Sequence, residues 1–113
     1  MAVTLPFRRL EPFGVEIERD LAEPLAPSEA YHFADLFQRH GLVLARGQAL
    51  SDARRDELLR RVGPAVRVER GMPSGSVLSF ADGEGKRVEL ALNEGDMLFW
   101  DSNAVTRDER AGC

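Results

Sequence analysis

Apolar and polar residues alternate twice near the start of the chain: Val3, Leu5 and Phe7, then Phe13, Val15 and Ile17. A period of two marks a strand with one buried face, so "AVTLPFRRLEPFGVEIER" predicts two short strands separated at Pro12 and Gly14. The period then lengthens. In "LAEPLAPSEAYHFADLFQRHG", Phe33, Leu36 and Phe37 fall on one helical face, with Ser28 as the expected N-cap and Gly41 as the stop. "LVLAR", residues 42–46, reads as a short buried strand. Ser51 then caps a helix over 52–62 whose apolar face is Leu58, Leu59 and Val62, and Gly63 and Pro64 end it.

The second half returns to the shorter period. "VRVER" is followed by "GMPSGS", a stretch with little tendency to order, and then by the clearest hairpin signal in the chain. Leu78 and Phe80 share one face of its first strand, Val88, Leu90 and Leu92 share one face of its second, and "DGEGK" makes the turn. "NEGD" turns the chain into a last strand, whose apolar run Met97 to Trp100 switches abruptly to Asp101, Ser102 and Asn103 before continuing through Val105 to Arg107. The order is two strands, a helix, a strand, a helix and four strands. Helices early and a meander late predict an α+β domain with a mainly antiparallel sheet.

Length and composition narrow the classes. A chain of 113 residues buries about 65% of its extended surface, enough for one core and too little for a large enclosed cavity. Its 43% hydrophobic and 30% charged residues fit an ordinary globular domain and suggest neither disorder nor a membrane span. The net charge of -4 argues against nucleic acid, because the arginine doublets of "ARRDELLRR" share their helix with Asp52, Asp56 and Glu57. With no basic flank ahead of an apolar run, a cytoplasmic location is expected. The single Cys113 cannot form an internal disulfide. "GEGK" lacks the first glycine, the Ser or Thr after Lys86 and the helix of a phosphate loop, so it reads as a hairpin turn.

Several short pieces, taken in order, carry a resemblance. Gly14 to Ile17, Asp20-Leu21, His40-Gly41, Leu42 to Gln48 and Val62-Gly63 match a G-x-x-I strand, a D-L turn, a helix ending in H-G, a strand reading roughly V-V-F-R-G-Q, and a helix ending in F-G. In that order and spacing they resemble the opening module of the TauD/TfdA family of Fe(II)- and 2-oxoglutarate-dependent dioxygenases. The closing "GDMLFWDSNAVTR" resembles the same family's G-D-L-L-x-W-D-N strand, which runs on to the distal histidine ligand of iron. The resemblance implies one domain built from an N-terminal module over 1–67, a loop over 68–76, and a hairpin with a terminal strand over 77–113, like a truncated double-stranded β-helix.

The same resemblance defines what is missing. Counting from Trp100, the distal histidine would stand at 107, where this chain has Arg107. The family's other two ligands come as H-x-D or H-x-E, but His32 precedes Phe33-Ala34 and His40 precedes Gly41-Leu42. The family's 2-oxoglutarate-anchoring arginine lies farther beyond the distal ligand than either Arg107 or Arg110. The stretch between about 68 and 76 stands where the family carries its first two ligands and much of its barrel.

Three functional readings follow, with a decayed remnant as a fourth. The first is a shortened relative without iron-dependent catalysis, acting in interaction, assembly or ligand binding, with self-association or a protein partner favoured by exposed sheet edges and uncovered apolar surface. On this reading neither a cofactor nor a metal is expected. The second is a metal-free pocket of Trp100, Asp101, Asn103 and Arg107 for a small anionic ligand or lyase chemistry, with Asp101 as base and Arg107 as electrostatic stabiliser. Against it, Trp100 is a common core residue and Asp101 with Asn103 a common turn. The third is an active oxygenase using Fe(II) and 2-oxoglutarate, its site completed by His32, His40 and a carboxylate or by a partner chain.

Overall fold

In the first described strand, β1 (Phe7–Arg9), all three residues are exposed, while in the second, β2 (Val15–Ile17), all three are buried. The computed structural model describes residues 7–23, 25–62, 65–71 and 74–107. Val3, Leu5, Gly63, Pro64, Arg110, Cys113 and the side chain of Val62, all used in the sequence reading, lie outside the described residues.

The helix-period segment forms α1 (Pro27–His40), with Phe33, Leu36 and Phe37 buried as their spacing requires. It begins two residues earlier than the expected Ser28 cap allows. The N-cap is Ala26, which has no side-chain acceptor; Pro27 at the first helical position needs no N–H partner, and Glu29 Oε1 accepts the Ala26 N–H at 2.9 Å. The helix stops at Gly41, which takes a left-handed φ of 74° and donates its N–H to the Phe37 carbonyl at 2.9 Å. Strand β3 (Leu42–Ala45) follows at once. Helix α2 (Asp52–Val62) opens with Ser51 Oγ accepting the Arg54 N–H at 3.2 Å, as its cap position predicts.

The remaining elements are β4 (Val66–Arg70), β5 (Ser76–Asp82), β6 (Arg87–Leu92), β7 (Met97–Asp101) and β8 (Val105–Arg107). Two points correct the sequence reading. Residues 68–70, expected in a loop, belong to β4, which pairs with β7 along its whole length. The closing strand is two strands: β7 belongs to one sheet and β8 to the other, and the polar residues 102–104 are the turn between them.

Five of the six strand pairings are antiparallel, in keeping with an α+β architecture. The strands divide, however, into a five-stranded sheet ordered β1-β2-β3-β7-β4 and a three-stranded sheet ordered β6-β5-β8. The parallel pair is β2 and β3, joined by α1 as a crossover. One face of the larger sheet, with Val15, Val43 and Phe99, packs on Phe33, Leu36 and Phe37 of α1 and Leu58 of α2. Its other face, with Leu42, Leu44 and Leu98, packs on Phe80, Val88, Leu90 and Leu92 of the smaller sheet. The layers are therefore helices, sheet and sheet, and β3 is buried at every residue because it is covered on both sides.

Candidate functional site

Two of the motifs carrying the resemblance meet at the join of β3 and β7. Asp96 is 5% exposed; its Oδ1 accepts the Gly47 N–H at 3.0 Å, and its Oδ2 accepts the Asn93 N–H at 2.8 Å and Arg46 Nη1 at 2.9 Å. Burial alone would push this carboxyl up, but the N–H groups of Asn93 and Gly47 and the Arg46 guanidinium outweigh it and hold the group below the usual carboxylate range. Gln48 is equally committed. Its Oε1 accepts the Leu21 N–H at 2.8 Å, and its Nε2 donates to the carbonyls of Arg19 at 2.9 Å and Arg46 at 3.1 Å. The Gln48 N–H reaches the Gly95 carbonyl at 2.6 Å. Arg46-Gly47-Gln48 and Gly95-Asp96 thus form a clasp that fixes the strands, with both carboxylate oxygens of Asp96 engaged in it.

The closing segment delivers its side chains to two places. Trp100 and Arg107 converge on Glu69 of β4: Glu69 Oε2 accepts Trp100 Nε1 at 3.3 Å, and Oε1 accepts Arg107 Nη1 at 3.0 Å. Glu69 stands opposite Leu98 in the ladder, so it shares the face turned toward the smaller sheet, and Arg107 stands opposite Phe80 on that smaller sheet. The ion pair therefore ties the two sheets together, with side-chain exposures of 37% for Arg107 and 22% for Glu69. Beneath it the rings of Phe80 and Trp100 lie 5.4 Å apart. Asp101 and Asn103 go elsewhere. Asp101 Oδ1 accepts the Asn103 N–H at 2.9 Å and its carbonyl accepts the Ala104 N–H at 3.0 Å, the bonding of a side-chain-capped turn. Asn103 is exposed. Sequence reasoning missed Glu69, although its sign and its alternation in "VRVER" put a lone carboxylate on the face opposite Val66 and Val68.

The histidines lie on α1 around an aromatic contact. The Phe7 ring sits 5.5 Å from that of His32 and 6.2 Å from that of His40. Among the described residues, no three His, Cys, Asp or Glu side chains gather as a metal ion would require. At the place where the resemblance puts the distal ligand, Arg107 brings a fixed positive charge already paired with Glu69. The described residues do not fit the iron centre that the resemblance implies.

No family model and no curated protein matches the chain. Its structure is similar to that of a taurine dioxygenase from Burkholderia xenovorans, with a TM-score of 0.71 at 13% identity over 89% of this chain and 82% of that one. It is also similar to AAD-2 in complex with Mn(II) and N-oxalylglycine, with a TM-score of 0.69 at 12% identity over 92% of this chain and 94% of that one. The fold is TauD/TfdA-like, an α+β arrangement of two helices with mixed and antiparallel sheets. No helix of the described residues is long and apolar enough to cross a membrane.

Proposed function

We propose that this TauD/TfdA-like fold serves as an assembly module without iron-dependent catalysis, and that its partner is a second copy of the same chain. The observation that carries the reading is the edge of β6. Among the described residues β6 pairs only with β5. The hairpin closes with the Asp82 N–H on the Lys86 carbonyl at 2.9 Å, so Val88, Leu90 and Leu92 turn their peptide groups toward β5. Glu89 and Ala91 turn theirs outward, and the Ala91 carbonyl is taken by Arg46 Nη1 at 3.0 Å. Arg87 lies in the same phase, which places the Arg87 and Glu89 peptide groups at the open edge.

Charged residues on an edge discourage indiscriminate pairing. Here the signs are mixed: Arg87 and Glu89 stand two residues apart on the same face. An antiparallel copy centred on Val88 places each Arg87 opposite the other chain's Glu89, a pairing that favours this register over one that opposes like charges. Association joins the two smaller sheets into one.

Glu89→Pro tests the reading, because proline there removes an N–H that the β5 ladder does not use. Sedimentation at tens of micromolar protein is expected to show a dimer for the parent chain and a monomer for the variant, with the far-ultraviolet spectrum unchanged. A parent chain that is monomeric throughout overturns the reading, as does a Glu89→Pro variant that is folded and still dimeric.

A further inference from the structure

A cleft of about 560 Å³ opens where the end of α1, the β1–β2 loop, the β5–β6 turn and the 102–104 turn meet. Its size suits a small molecule. It is separate from the Glu69–Arg107 pair and contains none of Trp100, Asp101, Asn103 or Arg107, and its apolar lining includes the half-buried Phe13 and the buried Val105.

The charges around it are divided by element. Arg9 from β1, with Arg39 and His40 from the end of α1, supply the basic side; Glu11 from the β1–β2 loop and Glu84 from the β5–β6 turn supply carboxylates. Arg39 is engaged with Asp35 at 2.7 Å, and Asp82 accepts the N–H groups of Glu84 and Lys86 in its own turn. The Arg9 guanidinium and the carboxylates of Glu11 and Glu84, by contrast, have no partner among the described residues. The His40 imidazole is pushed below its ordinary value by burial first and then by the guanidiniums of Arg9 and Arg39, with Asp35 opposing.

A simple anion entering this cleft would meet Glu11 and Glu84, and a simple cation would meet Arg9 and Arg39. A molecule with one group of each sign matches both sides, and its carbon chain falls against the apolar lining. We propose that the cleft between the end of α1 and the β5–β6 turn binds a small zwitterion, its anionic group held by Arg9 beside His40 and its ammonium by Glu84. Charge-assisted hydrogen bonds to an otherwise unpaired guanidinium and carboxylate supply the affinity. The site is independent of the β6 edge and goes beyond the assembly reading.

The test is a nuclear magnetic resonance titration of the His40 ring protons with 4-aminobutyrate, using acetate and propylamine as single-charge controls. The zwitterion is expected to give a saturable shift at millimolar concentration, with each control about tenfold weaker, the factor that one lost charge-assisted contact represents. Arg9→Gln and Glu84→Gln, both at exposed positions, are each expected to weaken binding by a similar factor while leaving the thermal midpoint at pH 8, above the His40 window, in place. Repeating the titration on Glu89→Pro separates the cleft from association, so either inference can fail alone. The absence of a saturable shift overturns the proposal. So does acetate or propylamine binding as well as the zwitterion, or an Arg9→Gln variant that binds like the parent.

Discussion

Asp96 spends both oxygens on three donors in a nearly dry site, so Asp96→Ala leaves the N–H groups of Asn93 and Gly47 and the Arg46 guanidinium short of a partner. The expected loss is about 2–4 kcal/mol, read from the urea midpoint at constant slope. Because the folded carboxyl titrates below the unfolded one, its contribution is complete above about pH 4 and is lost as the pH falls through the folded value. His40 adds a second window. Burial and two guanidiniums lower the folded imidazole's affinity for a proton, so the unfolded chain takes up the proton more readily, and stability declines as the pH drops below about 6.5 toward the lower folded value. Thermal midpoints measured from pH 8 to pH 3 should therefore show two descending steps, and His40→Gln should remove only the upper one. Arg107→His supplies an imidazole without the other two ligands, so neither the parent nor this variant should release succinate from 2-oxoglutarate with Fe(II); succinate from Arg107→His alone would contradict the misfit. The roles of Asp96 and Gln48 were half legible: the motifs marked their positions, but only the fold revealed that they bond each other's strands.

At the scale of elements, the hinge of the architecture is the end of α1. Gly41 sits at a φ of 74°, and a Cβ there would lie 2.8 Å from Val105 Cγ2, while its carbonyl accepts the Asp101 N–H at 2.8 Å. Gly41→Ala therefore combines left-handed strain with a clash against β8, and a loss of about 1–3 kcal/mol is expected by chemical denaturation. Gly41→Asn, whose side chain tolerates this conformation better, should recover little, because the clash remains. The helix end, both hairpin faces and the α2 cap were readable, since each rests on residues close in sequence. The start of α1 was not. Ser28 is a better capping residue than Ala26, but Pro27 already sets the first helical turn and Glu29, held by Arg19 at 3.0 Å, reaches back to the Ala26 N–H.

For the whole molecule, the decisive feature is the passage of the chain from β7 to β8. Met97 to Trp100 belong to a sheet covered on both faces, whereas Val105 to Arg107 extend a second sheet, and the turn between them bonds to neighbouring segments through the Ser102 N–H and Oγ on the Ala65 carbonyl at 3.0 and 2.7 Å. This crossing brings Arg107 over to Glu69 and leaves β6 at an edge. The dimer expected through that edge should dissociate on dilution and in Glu89→Pro, while high salt should weaken it only modestly, since backbone hydrogen bonds carry the joint and Arg87 with Glu89 select its register.

The local periods of two and 3.6, with the turn residues and caps that bound them, are written in consecutive residues, and they determined the kinds of elements, their order and the α+β class. The ordered short motifs determined the TauD/TfdA-like fold as well, because strands and turns matched in sequence constrain one another even at low identity. Tertiary structure alone decided which strands share a sheet, because Leu42 and Leu44 facing one layer and Val43 the other have the same hydrophobicity in sequence. It alone decided that Trp100 and Arg107 meet a carboxylate on another strand while Asp101 and Asn103 close a turn. Long-range pairing depends on the register between segments dozens of residues apart, and no local pattern encodes the distance from Glu69 to Arg107.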